Sequence, residues 1–275
     1  MRERAISAAI LVPALLLVLA IGSYVLAAAV AAVTVLVARE VFTLLGDAGH
    51  STLPLLGTVL ALTVILDSAF PGVLEGSGLL LTAVGIVLVS VASFARPDPR
   101  DGLATWMATV FGALYVSLLG FVLRLGHSAP VVPEGAPLAL LGAERGWILL
   151  LLLAVWSYDT GAYLVGRRFG RERFLTHISP SKTYAGLVGG VVAATVVVGL
   201  LLWGLGQSPL HAVLLGPLAA FAAQAGDLAE SMLKRAAGAK DSGALIPGHG
   251  GMLDRVDSFL FAAPVVTLYV VALAA

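Results

Sequence analysis

The 275-residue chain has no cysteine and balances 16 Lys and Arg against 16 Asp and Glu, so its formal net charge is zero. Hydrophobic residues make up 59% and charged residues only 12%, against about 25% charged in soluble domains. This composition excludes disulfides, thiolate nucleophiles and cysteine-held metals, leaves no global field to attract nucleic acid, and supplies too little polar surface to cover a soluble domain.

Apolar runs of roughly 20 residues recur along the whole length, and the mean hydropathy is +1.01. Strand-length alternation between turns is absent, which argues against an outer-membrane barrel. The expected fold is an all-α polytopic integral membrane protein, a single membrane domain over 1–275 with about nine transmembrane helices. They fall near 5–21, 23–45, 54–70, 78–95, 104–125, 147–166, 185–205, 211–233 and 257–274. Residues 1–145 hold the first five; residues 146–275 hold the rest, with polar connections at 167–184 and 234–256.

The first span follows Arg2 and Arg4, as the core of a signal peptide would, and Ala27–Ala29 resemble a cleavage site. Apolar sequence continues well past that point, so a signal-anchor helix is expected instead. The second span carries Arg39 and Glu40 near its end. The connections at 70–78, 96–102 (RPDPRDG) and 127–146 read as plain linkers built on Pro and Gly. With nine spans, 14 of the 16 Lys and Arg lie on one side, and only Arg124 and Arg145 on the other. The positive-inside rule then puts the N-terminus in the cytoplasm, the C-terminus outside, and both polar connections on the cytoplasmic face.

The sixth span contains Asp159-Thr160-Gly161-Ala162-Tyr163. Asp159 lies deep enough in it to need a reason. The basic run Arg167–Arg173 reads as a signal for topology and anionic lipid. Ser179, Ser181, Lys182 and Thr183 precede the seventh span. They either bind phosphate or cap the next helix.

Asp227, Glu230, Ser231 and Lys234 end the eighth span at offsets of 0, 3, 4 and 7, which places them on one helical face. Glu230 and Lys234 are spaced to pair with each other. Asp227, one turn deeper, needs another partner, and a metal ion is a natural one. The loop Ile246–Gly251 is dense in glycine, and Gly248, Gly250 and Gly251 would let backbone N–H groups approach phosphate oxygens, or would simply make a turn. Asp254 and Asp257 share a face at the start of the last span. One acid would suffice to cap a helix; two beside Arg255 suit a hard cation such as Mg²⁺ held together with substrate phosphates. Lys234, Arg235, Lys240 and Arg255 would complement those phosphates. Carboxylates for metal beside cations for phosphate are the inventory of phosphoryl or nucleotidyl transfer.

The segment Ser231–Asp257, reading SMLKRAAGAKDSGALIPGHGGMLDRVD, resembles the signature of the phosphatidate cytidylyltransferases (CDP-diacylglycerol synthases). The upstream DTGAY, GRRFG and ISPSKT are similar to the same family, so the resemblance covers about Asp159–Asp257. Ser181 stands where the family has Lys, and Ala185 where it has Glu. The resemblance implies a membrane enzyme that condenses CTP with phosphatidic acid, giving CDP-diacylglycerol and pyrophosphate. It implies dependence on Mg²⁺ or Mn²⁺ at Asp227, Asp254 and Asp257, with K⁺ as a second ion, and a homodimer. Lys234, Arg235, Lys240, Asp241 and His249 match the family's polar positions. The expected location is a bacterial cytoplasmic membrane with the site facing the cytoplasm.

Two rival readings use the same residues. An ion-coupled transporter would employ Asp159 and Asp227, but needs paired broken helices in two repeated halves, and the sequence has no such symmetry. A polyprenyl-alcohol kinase or other lipid phosphotransferase would want a base, for which Asp241 or His249 is available.

Overall fold

The computed structural model describes residues 2–72, 77–246, 248 and 250–274. Ten α-helices are present among these residues, and no strand beyond isolated bridges. They are α1 (Arg2–Ile21), α2 (Ser23–Asp47), α3 (Pro54–Ala69), α4 (Ser77–Ser93), α5 (Pro99–Ser117), α6 (Gly120–His127), α7 (Gly142–Phe169), α8 (Tyr184–Gly204), α9 (Ala212–Ala236) and α10 (Leu253–Ala274). Helix satisfies every backbone group within its own segment, which a hydrocarbon solvent demands. The hydroxyls obey the same constraint. Thr34, Ser68, Ser93, Thr109, Thr195 and Thr267 each donate back to the carbonyl four residues earlier.

Six helical segments are long and apolar enough to cross a membrane: Ser23–Asp47, Pro99–His127, Ala139–Phe169, Tyr184–Gly204, Pro209–Ala236 and Leu253–Leu273. Shorter apolar helices, Val12–Ile21, Pro54–Ala69 and Ser77–Ser93, occupy the other three expected positions. The 16 residues of α3 rise only about 24 Å, short of a hydrocarbon core of about 30 Å. The chain is thus a polytopic helical membrane protein.

The expected fifth span is broken into α5 and α6. The Ser117 hydroxyl bonds to the Leu114 carbonyl, and the amides of Leu118, Leu119, Phe121 and Val122 all reach back three residues instead of four. The ladder is tightened locally, which is a recognised source of kinks.

The chain forms two compact units that interleave along the sequence. One contains Met1–Leu123 and Met232–Val256; the other contains Arg124–Ser231 and Asp257–Ala275. In the first, α2, α3, α4 and α5 pack together, with Leu60, Val89 and Ala113 at the meeting point of α3, α4 and α5. In the second, α7 and α8 make an extensive contact. Gly186, Gly190, Ala194, Val198 and Leu202 recur every four residues along α8 and are buried, while Val188, Val192, Val196 and Leu200 form an exposed apolar face suited to lipid.

A Cβ at Gly186 would lie 2.8 Å from the Ala162 carbonyl oxygen, so the two backbones are in direct contact. Gly186→Leu is expected to destabilise the protein by about 1–3 kcal/mol in a denaturant titration in detergent. Val188→Leu on the exposed face should stay within about 0.5 kcal/mol of the parent.

Candidate active site

In the second unit, α9 carries a run of small buried residues, Ala219, Ala220, Ala222, Ala223 and Gly226. At Gly226 the α9 backbone meets that of α10: a Cβ there would lie 2.4 Å from the Asp257 carbonyl oxygen and 3.1 Å from the Ser258 Cα. Two backbones that near bring the adjoining side chains together. Carboxylate oxygens of Asp227, Glu230 and Asp257 lie within 4.8 Å of one another. Glu230 is 1% exposed, and the other two are half-buried.

The connection between α7 and α8 supplies a cation to this cluster. Arg173 and Thr183 form a bridge, the Phe174 amide donates to the Lys182 carbonyl, and the Tyr184 amide donates to the Glu172 carbonyl. So anchored, Lys182 forms an ion pair with Asp227. Thr183 caps α8 through the Gly186 amide at 3.1 Å, which is the structural one of its two expected roles. Ser179 is half-buried and accepts the Lys182 amide through its carbonyl, whereas Ser181 is exposed. Asp159 is on an exposed side of α7; its neighbour Tyr158 is buried and donates to Gln224 Oε1 at 2.5 Å.

In the first unit, the segment after α9 wraps around a carboxylate from α2. Glu40 accepts the Met252 amide and the Leu253 amide, each at 2.8 Å, and the Ser242 hydroxyl at 2.9 Å. Asp254 accepts Lys234 Nζ at 2.7 Å, the Gly251 amide at 2.8 Å, the Ser242 amide at 3.0 Å and the Ser242 hydroxyl at 2.9 Å. The Ile246 amide donates to the Gly250 carbonyl, closing a tight loop in which Gly248 and Gly250 have φ of 75° and 81°. Lys240, Asp241, Arg235, Arg255 and Gly248 are exposed, and Arg235 donates to the Ala239 carbonyl at 3.2 Å. Ser231, in the second unit, is buried. His249 lies outside the described residues.

Three expectations change in detail. Asp254 was expected to bind metal with Asp227 and Asp257; in the first unit its oxygens accept from Lys234, Gly251 and Ser242, and in the second unit Glu230 joins Asp227 and Asp257 in one acidic cluster. Glu230 is therefore more than a helical partner for Lys234, whose ammonium is 2.7 Å from Asp254. Gly251 contacts protein: a Cβ there would be 2.1 Å from Ser242 Oγ and 2.4 Å from Glu40 Oε2. Sequence reasoning gave no role to Glu40 or Ser242. A charge inside the apolar run around Glu40 was the available signal.

Residues 2–273 match the model of the Cytidylyltransferase family. The chain belongs to that family. A phosphatidate cytidylyltransferase of Synechocystis sp. is 36% identical over 287 residues, covering 98% of this chain and 97% of that protein. Phosphatidate cytidylyltransferase 5, chloroplastic, of Arabidopsis thaliana is 37% identical, covering 87% of this chain and 64% of that protein. A phosphatidate cytidylyltransferase of Brucella suis is 37% identical, over 77% of this chain and 70% of that protein. For a cytidylyltransferase the donor set fits a divalent metal. Asp227, Glu230 and Asp257 offer only hard carboxylate oxygens, clustered closely enough to share one ion, with no sulfur or imidazole among them.

Proposed function

We infer that the protein transfers the cytidylyl group of CTP to phosphatidic acid, releasing pyrophosphate and forming CDP-diacylglycerol. The observation that carries this reading is the three-carboxylate cluster paired to Lys182 at the ends of membrane helices, in a chain of this family. A phosphate oxygen of phosphatidic acid forms a bond to the α-phosphorus of CTP, and the bond from that phosphorus to the oxygen bridging to the β-phosphate breaks. The nucleophile is already anionic at neutral pH, so no general base is required. The chief difficulty is to bring two anions together.

Asp227, Glu230 and Asp257 would hold Mg²⁺ or Mn²⁺. A bound divalent cation supplies charge neutralisation at phosphoryl oxygens. Lys182 balances the charge of Asp227 and would offer a cation to substrate phosphate. Lys234, Arg235, Lys240 and Arg255 contribute positive charge for the triphosphate. Asp254, by holding Lys234, aims one of these cations.

The reading extends to topology: nine membrane helices, the N-terminus and both polar connections in the cytoplasm where CTP is, and the C-terminus outside. The asymmetry of 14 against 2 basic residues supports it. The bacterial relatives from Synechocystis and Brucella support a bacterial cytoplasmic membrane. K⁺ as a second ion and a homodimer rest on the family resemblance. Detergent-purified protein given radiolabelled CTP and phosphatidic acid should form labelled lipid and pyrophosphate only when Mg²⁺ and phosphatidic acid are both present. Label transferred instead to a polyprenyl alcohol, or no transfer at all, would overturn the reading.

A further inference from the structure

Glu40 is an unusual residue for its place. It lies near the end of a membrane-length helix and is 9% exposed. A buried carboxylate is stable only where donors replace its water. Three do so, and all come from residues 242–253, more than 200 positions away in the chain. Two are the amides of Met252 and Leu253 at the start of α10, where the helix dipole also favours a negative charge. The third is the hydroxyl of Ser242.

A helix cap alone would need only the amides. The Ser242 contact makes the arrangement more than a cap, because the same hydroxyl lies 2.9 Å from both Glu40 Oε2 and Asp254 Oδ2. It has one proton and donates to one carboxylate at a time. Asp254 in turn holds Lys234 Nζ. Gly251 and Gly243 close around Glu40 so tightly that a Cβ at either would be within 3.0 Å of a carboxylate oxygen.

We propose that Glu40 is a positioning residue for nucleotidyl transfer: it clamps Ser242 and the first turn of α10, and through them sets the Asp254–Lys234 pair. The role rests on the reading of Lys234 as a cation for the triphosphate. Glu40→Gln tests it with little change in volume, because an amide keeps one acceptor oxygen and turns N–H groups toward atoms that themselves donate.

Three measurements are made on the detergent-purified full chain: steady-state kinetics for both substrates, the Mg²⁺ concentration giving half-maximal rate, and amide exchange of peptides spanning 241–255. In E40Q, kcat/KM for CTP should fall by about 10–100-fold, as for loss of a supporting contact behind a site residue. KM for phosphatidic acid and the Mg²⁺ midpoint should stay within about twofold, and exchange in 241–255 should rise while α7 and α8 keep their protection. E40Q/S242A should be little worse than E40Q, since both changes cut one chain of contacts.

Kinetics equal to the parent, or rates for both substrates falling only in step with the folded fraction, would overturn the proposal. Unchanged exchange in 241–255 would overturn the clamp itself, whatever the kinetics. A parent protein that does not turn over CTP removes the reading of the reaction and the positioning role with it, and the exchange measurement still decides whether the clamp exists.

Discussion

Asp257→Asn is expected to lower phosphatidate-dependent CTP turnover by about a thousandfold, on the scale of losing one preorganised electrostatic contact in an active site. It should also raise the Mg²⁺ concentration needed for half-maximal rate. The asparagine keeps the shape of the side chain and the oxygen that accepts the Ser258 amide at 2.7 Å, so the helix start survives and the change is mainly one of charge. Asp227→Asn should behave similarly, with the added effect that Lys182 loses its ion-pair partner. Asp254→Asn is the informative contrast. Its new amide must face one of the donors Lys234, Ser242 or Gly251, which costs about 1–3 kcal/mol of stability and should raise KM for CTP. Its Mg²⁺ midpoint should stay near the parent value. Measuring that midpoint for Asp254→Asn and Asp257→Asn side by side decides the ligand set, and equal shifts would return Asp254 to the metal.

Gly226→Ala should be nearly as damaging, although it removes no functional group. The added carbon would lie 2.4 Å from the Asp257 carbonyl oxygen and 3.1 Å from the Ser258 Cα. Both neighbours are backbone, so no side chain can yield, and α9 and α10 must separate. The expected cost is about 1–3 kcal/mol of stability. The Mg²⁺ midpoint should rise about 10–100-fold as the carboxylates on the two helices part. Ala225→Val, one residue earlier on an exposed position, serves as the control and should change stability by less than about 0.5 kcal/mol. A normal midpoint in Gly226→Ala would mean that the carboxylates do not depend on this contact.

The helices were legible because length and apolarity suffice to place them. All nine expected positions carry helix, and the break at Leu118 and Leu119 escaped notice because its cause is a hydroxyl bond and tightened amides, not a proline. Asp227 and Asp257 stood out as acids beside hydrocarbon. Glu230 was visible at the right offset, but an i,i+4 lysine offered a simpler explanation, and only the approach of α10 shows which neighbour its carboxylate meets. The pairing of Ser242 with Glu40 was beyond reach for a different reason. Their contact joins positions 202 residues apart, and helical periodicity says nothing about which helix meets which loop.

That separation bears on how the protein is made. Glu40 is synthesised 212 residues before Met252, and at about 5–20 residues per second it waits roughly 10–40 s in a nascent membrane helix for its partners. During that interval α2 carries a carboxylate whose donors do not yet exist. The contact that closes the N-terminal unit is therefore among the last to form, and until then water at the end of α2 must stand in for the donors of the finished chain.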